Sequence, residues 1–138
     1  MLMSRIAIAL VILSGIAHLY ITYVEVFDSA RLAKELAGMD LKLLPEDAEF
    51  DAFRKGIVAL VQNQGIYNAF IGAGLLLSFL QTANAAWQTR VYGAACILLA
   101  GLFGGMTASP TIYGQAALGG LTLAFLLMTR PQREVSEN

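Results

Sequence analysis

The sequence is poor in charged residues. Only 14% of its 138 residues are charged and 57% are hydrophobic, whereas a soluble domain has about 25% charged residues. The formal net charge of −1 provides no basic excess for nucleic acid, so we expect no nucleic-acid partner. The single cysteine, Cys96, cannot form a disulfide within the chain. The composition therefore predicts one domain, residues 1–138, embedded in a membrane and in contact with lipid.

The C-terminal half contains a very long stretch without charge. Residues 91–129 include no Asp, Glu, Lys or Arg. As one helix they would extend roughly 58 Å at about 1.5 Å per residue, near twice a hydrocarbon core of about 30 Å. Pro110 can end a helix and restricts Ser109 before it. We therefore predict two membrane spans, 91–108 and 112–129, joined by a short turn.

Two more apolar runs precede this stretch. Residues 57–80 contain no charge, and residues 6–26 contain one, Glu25. Residues 6–26 follow a basic residue, Arg5, as the apolar part of a signal peptide does. They continue well beyond the small residues Gly15-Ile16-Ala17, however, and are long enough to cross a membrane. The predicted fold is therefore all-α, an integral membrane bundle of four transmembrane helices that begins with spans 6–26 and 57–80.

Most of the charge lies in residues 27–56, between the first two spans. Ser29 and Gly38 can cap a short helix, and Pro45 suits the start of another. We predict a partly helical extramembrane loop, which is either an interfacial helix leading into the second span or a lid over a site. Lys and Arg are almost equally frequent on the two sides, and their distribution slightly favours cytoplasmic termini.

The polar residues of the spans lie in one half of the membrane. His18, Thr22 and Glu25 follow each other at i, i+4 and i+7 and form one stripe. The other spans contribute Asn63, Gln64, Tyr67 and Asn68 from the second, Thr107 from the third and Gln115 from the fourth. Counted from the loop side at about 1.5 Å per residue, His18 is roughly 12 Å deep and Asn68 roughly 16 Å. Because intramembrane polar groups are costly, we predict a polar pocket that opens toward the 27–56 loop.

This pocket suits acid–base chemistry on a small lipophilic molecule. His18 and Glu25 are the candidate catalytic residues, since histidine exchanges protons near neutral pH and Glu25 can orient it. The candidate substrate-binding residues, which can bind a carbonyl or hydroxyl group, are Asn63, Gln64, Tyr67, Asn68, Thr107 and Gln115. An isomerisation or proton shift requires no cofactor, and none is predicted. One His and one Glu are too few for a zinc site, so no metal is predicted.

The same residues allow simpler interpretations. His18 can be a packing residue, Glu25 can lie at the interface, and amides can hold helices together. Two alternative functions therefore stay open. One is a small transporter or proton-coupled carrier that acts as a homo-oligomer, and the other is a structural or partner-binding membrane subunit. The small-residue pairs Gly101 with Gly105 and Ala116 with Gly120 predict close helix contacts.

Several segments resemble a known family. They are His18-Leu19-Tyr20-Ile21 followed by Glu25, Asn63-Gln64-Gly65-Ile66-Tyr67-Asn68-Ala69-Phe70 with Gly74-Leu75, and Gly101-Leu102-Phe103-Gly104 with Thr107 and Gln115. In these segments the chain resembles the small bacterial membrane proteins catalogued as domain of unknown function 1304, over essentially all four spans. Residues 26–29 and the long loop depart from the family pattern. The resemblance implies a four-helix fold in a bacterial inner (plasma) membrane and brings no established activity.

Overall fold

The computed structural model of the chain describes residues 1–28, 48–108 and 110–130. The helices in these residues are α1 (Leu2–Phe27), α2 (Ala48–Leu77), α3 (Ala83–Thr107) and α4 (Tyr113–Met128). Short 3-10 turns at Ser78–Leu80 and Pro110–Ile112 precede α3 and α4. The described residues contain no β-strand, which confirms the predicted all-α class.

The helices extend beyond the predicted spans at several of their ends. α2 begins at Ala48 rather than 57, and α3 begins at Ala83 rather than 91. The spans were predicted from runs without charge, whereas a helix can continue past a charged residue such as Arg90 because its backbone hydrogen bonds do not require an apolar surface. The predicted short helix between Ser29 and Gly38 and the predicted start at Pro45 lie outside the described residues.

The predicted break at Pro110 is confirmed. α3 ends at Thr107, and the Ala108 N–H still donates to the Gly104 carbonyl at 2.9 Å. The 3-10 turn then begins at Pro110, and α4 follows at Tyr113. Proline has no backbone N–H to continue the α-helical ladder. One residue thus converts a run that is too long for one span into two helices.

Three segments are long and apolar enough to cross a membrane, namely Leu2–Phe27, Ala83–Thr107 and Pro110–Met128. The share of the most apolar part that is buried inside the protein is only 28% in each of the first two segments and 22% in the third. Most of this apolar surface therefore points outward, where water would be unfavourable and lipid is a suitable solvent. The chain is a multi-pass membrane protein, as predicted.

α2 is not one of the three apolar segments found in the described residues. Its 30 residues are long enough for a crossing, but four amide side chains lower its hydropathy, namely Gln62, Asn63, Gln64 and Asn68. The bundle of four transmembrane helices therefore stays a prediction at this point.

The chain divides into two compact units, Met1–Gly15 with Ala73–Asn138, and Ile16–Gly72. In the first unit, glycines bring the backbones of α3 and α4 together. A Cβ atom on Gly101 would lie 2.7 Å from the Cα of Ala116, and one on Gly119 would lie 2.5 Å from the backbone nitrogen of Leu98. The close helix contact predicted from Gly101 and Ala116 is confirmed, because no larger residue fits there.

Two interhelical hydrogen bonds add to this packing in the first unit. The hydroxyl oxygens of Ser14 on α1 and Thr122 on α4 lie 3.0 Å apart, and both residues are fully buried. The indole N–H of Trp87 on α3 donates to the carbonyl of Leu126 near the end of α4 at 3.0 Å. Such bonds between membrane helices contribute about 0.6 kcal/mol each on average, so close packing is the larger contribution to the stability of this unit.

Candidate functional site

The second unit, Ile16–Gly72, contains the predicted stripe of α1. His18 is almost completely buried, with 1% of its surface exposed. Thr22 lies one turn further along, and its hydroxyl donates to the backbone carbonyl of His18 at 2.8 Å. Glu25 follows on the same face and is half-buried. Because the Thr22 hydroxyl proton is used within α1, the groups of the stripe suited to proton chemistry are His18 and Glu25.

Glu25 is held by a residue of α2. The side-chain amide of Asn68 donates from Nδ2 to the Glu25 Oε2 at 2.7 Å, across 43 positions of sequence. Asn68 is buried, with 5% of its surface exposed. The distance of 2.7 Å is at the short end of the range for N–H···O hydrogen bonds. This bond joins two residues of the predicted site and fixes the carboxylate relative to α2.

A glycine allows the two helices to approach at this point. A Cβ atom on Gly65 would lie 2.8 Å from Val26 Cγ2 and 3.0 Å from the Cβ of Glu25. One turn earlier on α2, the Gln62 side chain donates to the carbonyl of Val26 at 3.2 Å. The Val26 carbonyl is in the last turn of α1, where carbonyl groups have no N–H partner within the helix. Gln62, Gly65 and Asn68 thus form the face of α2 that contacts α1.

The sequence interpretation did not assign a role at the site to Gln62 or Gly65. Gly65 and Gln62 lie three and six residues before Asn68, and residues at this spacing share one face of a helix. A glycine between two amides on that face is the sign of a close backbone approach. The polar residues of α2 surround the helix, however, so composition alone did not indicate which face meets α1.

Three other predicted residues of α2 lie elsewhere on the helix. Asn63, Gln64 and Tyr67 are exposed, and the Tyr67 ring meets the edge of Phe70 at a centroid distance of 6.5 Å. At about 100° per residue, Asn63 and Tyr67 are roughly half a turn from Gly65. Their predicted role in substrate binding stays a prediction, and they do not share the hydrogen bond between Asn68 and Glu25.

The last two predicted residues belong to the first unit. Thr107 is exposed at the end of α3, and its hydroxyl donates to the carbonyl of Phe103 at 2.8 Å. Gln115 is half-buried in the first turn of α4. Their proposed contribution to substrate binding also stays a prediction.

The chemistry open to the site follows from its donor set. Within residues 1–28, 48–108 and 110–130, no group of three or more His, Cys, Asp or Glu side chains could hold a metal ion. His18, Glu25 and Asn68, hereafter the polar cluster, supply an imidazole, a carboxylate and an amide. An imidazole and a carboxylate can exchange protons with a ligand, and the amide can orient one of them or a polar group of the ligand.

Gly65→Ala is expected to destabilise the protein by about 2 kcal/mol, a typical value for an overpacked contact. The added methyl group would collide with the branched side chain of Val26 and with Glu25 Cβ, so the helices must separate and the bond between Asn68 and Glu25 must lengthen. Thermal unfolding of the purified protein in detergent measures this effect.

Gly56→Ala is the matched control, since it changes the same residue type in α2 where nothing lies within 4 Å of the added carbon. It is expected to raise stability by up to about 1 kcal/mol, the difference in helix propensity between glycine and alanine. Equal effects of the two substitutions would show that the Gly65 contact is not tight.

The comparisons with known proteins give one match. The model of the family described as "Protein of unknown function (DUF1304)" matches residues 12–127. The match covers well over half of the chain, including the polar cluster and parts of all four helices, and it confirms the resemblance drawn from the sequence. No curated protein and no solved structure matches the chain.

Proposed function

The chain belongs to the DUF1304 family of proteins of unknown function, and on that premise we propose that it is a four-span protein of a bacterial inner (plasma) membrane that binds a small lipophilic molecule at the polar cluster. In this proposal His18 and Glu25 also carry out acid–base chemistry on the bound molecule. The observation that carries it is the 2.7 Å hydrogen bond between Asn68 and Glu25.

The fourth span in this proposal is α2. Its charge-free part, residues 57–77, is about 32 Å long at about 1.5 Å per residue, enough for a hydrocarbon core of about 30 Å. Its low hydropathy comes from amide side chains, and two of them, Gln62 and Asn68, bond to α1. Amides that bond to a neighbouring helix are compatible with a membrane interior, because each finds its partner within the protein.

The position of the polar cluster supports a binding function. A carboxylate at membrane depth is costly and is retained where it pairs with another group or performs a function. Glu25 is bonded to Asn68 and is only half-buried, so part of the residue stays accessible to a ligand. A hydroxyl, amine or enol group of a lipophilic molecule can donate to it.

The acid–base part of the proposal assigns separate roles to the three residues. Glu25, fixed by Asn68, accepts a hydrogen bond from the polar group of the ligand and determines its orientation. His18, on the same face of α1 and 1% exposed, takes or returns a proton, since imidazole can do both near neutral pH. A proton shift or isomerisation needs these two steps, and the described groups are sufficient for them.

Mass spectrometry of co-purified molecules tests this function. The detergent-purified protein is extracted with organic solvent, and the extract is compared between the wild type and the variants His18→Ala, Glu25→Gln and Tyr20→Ala. Tyr20 is the matched control, because it is on the same helix with 67% of its surface exposed. We expect one small molecule, enriched over bulk lipid, to be retained in Tyr20→Ala and reduced about tenfold in the other two variants, as for the loss of one hydrogen bond to a charged group.

The outcomes separate binding from a purely structural role. An extract of folded wild type that contains only bulk lipid would contradict the proposal. So would a molecule whose amount is the same in all four proteins, because it would then bind elsewhere.

A further inference from the structure

A cleft of about 170 Å³ lies in the first unit, and none of the residues that line it belongs to the polar cluster. Its walls come from three helices, through Ser4, Ile8 and Val11 of α1, Trp87 and Arg90 of α3, and Leu126 of α4. We call this the Arg90 cleft. Arg90 directly precedes the charge-free residues 91–129, so the cleft is at the level where the helices of this unit leave the apolar core of the membrane.

Arg90 is held in the cleft with its charge available. Its Nε donates to the Ser78 hydroxyl at 2.8 Å, and its guanidinium lies over the Phe79 ring with 4.2 Å to the centroid. A guanidinium has five N–H donors in a planar fork, and the contacts with Ser78 occupy only part of it. The remaining donors have the geometry that suits a phosphate group.

The charge of this unit favours an anionic occupant. The whole unit has more basic than acidic residues, and its charged residues are Arg5, Arg90, Arg130, Arg133, Glu134 and Glu137. In the part of this unit that the structure describes, residues 1–15, 73–108 and 110–130, the charged side chains are all arginines, so no carboxylate side chain of these residues can neutralise Arg90. An anion at the membrane surface would do so, and anionic phospholipid headgroups are concentrated there.

The walls of the cleft change from polar to apolar along α1. Ser4, Ile8 and Val11 are at i, i+4 and i+7 and share one face, with the hydroxyl at the outer end. Trp87 forms a rigid wall, because its indole N–H is bonded to the Leu126 carbonyl at 3.0 Å. An amphipathic ligand with a polar head and an apolar tail matches this gradient.

We propose that the Arg90 cleft binds a phospholipid with an anionic headgroup, with the phosphodiester at Arg90 and an acyl chain beside Ile8, Val11 and Leu126. The volume of about 170 Å³ has room for several water molecules. This is enough for a phosphodiester but not for a whole lipid, so the acyl chains extend along the outer apolar surface.

The only tryptophan of the chain, Trp87, reports on this site directly. Its fluorescence is measured in detergent micelles during titration with phosphatidylglycerol or phosphatidylcholine that carry brominated acyl chains, which quench nearby indole. We expect saturable quenching, with phosphatidylglycerol half-saturating at an about tenfold lower mole fraction, as for one charge-assisted hydrogen bond. Arg90→Gln is expected to remove this preference.

Two further variants and one competitor define the site. Arg5→Gln removes a charge of the same unit that does not line the cleft and should keep the preference. Ser4→Phe leaves the bond between Arg90 and Ser78 in place but narrows the cleft, and it should weaken quenching by phosphatidylglycerol even if Arg90→Gln fails to fold. Inorganic phosphate should not displace the lipid more than chloride of equal ionic strength does.

Three results would overturn the proposal. The first is equal quenching by the two lipids in the wild type. The second is an equal loss of preference in Arg5→Gln and Arg90→Gln, which indicates general surface charge rather than the cleft. The third is specific displacement by inorganic phosphate, which indicates a site for free phosphate instead of a lipid.

Discussion

Gly119→Ala is expected to lower the free energy of unfolding by about 3 kcal/mol, at the upper end of overpacking effects. The new Cβ would lie 2.5 Å from the backbone nitrogen of Leu98 and 2.8 Å from Ile97 Cγ2. Backbone atoms cannot rotate away as the end of a long side chain can, so α3 and α4 must move apart along their contact. Moving them also disturbs Gly101, whose position faces the backbone of Ala116.

Unfolding in increasing concentrations of a denaturing detergent measures this loss, with Gly114→Ala as the matched control on the same helix. Nothing lies within 4 Å of a Cβ at Gly114, so this control should gain up to about 1 kcal/mol from alanine's higher helix propensity. A Gly119→Ala protein as stable as the control would mean that α3 and α4 do not pack backbone to backbone.

Asn68→Leu is expected to destabilise the protein by about 1–3 kcal/mol, because it leaves the Glu25 carboxylate without its bonded amide in an apolar environment. Leucine has the same number and branching of side-chain heavy atoms as asparagine, so the loss reports mainly on hydrogen bonding. Asn63→Leu is the control, since Asn63 is an exposed amide of the same helix. It should leave stability unchanged or raise it.

The double variant Glu25→Leu/Asn68→Leu separates stability from function. With both polar partners removed, stability should return close to the wild-type value or exceed it, whereas retention of the co-purified molecule should be lost. A double variant that is less stable than Asn68→Leu alone would show that Glu25 has a second structural partner. A fully stable double variant that retains the molecule would exclude the polar cluster as its binding site.

The outline of the fold could be predicted from the sequence because hydrophobic length and one proline are strong signals. Residues 91–129 are too long for one span, and Pro110 has no N–H, so the position of the break followed. A helix end such as Ala83 could not be predicted in this way, since charge marks the limit of the membrane and not the limit of a helix.

The candidate site was harder to predict than the fold. Glu25 and Asn68 could be assigned to one site because both were predicted in the same half of the membrane, but Gln62 and Gly65 were not assigned to it. The amides of α2 occur all around the helix, so their spacing does not select the face that meets α1. Gly65 does select it, because a glycine in the middle of a helix is unfavourable by about 1 kcal/mol relative to alanine and is explained by the close approach to Val26 and Glu25.

The polar cluster lies inside the membrane only if α2 crosses the membrane, and cysteine labelling at the two ends of α2 tests this most directly. Cys96, the only cysteine, is first replaced by alanine, and single cysteines are then introduced by Ala52→Cys and Gln81→Cys, at two exposed positions near the opposite ends of α2. Intact cells and opened membranes are treated with a membrane-impermeant maleimide. We predict that the cysteine at position 52 is labelled in intact cells and that the one at position 81 is labelled only after the membrane is opened. Labelling of both positions from the same side would contradict the fourth span and with it the intramembrane site.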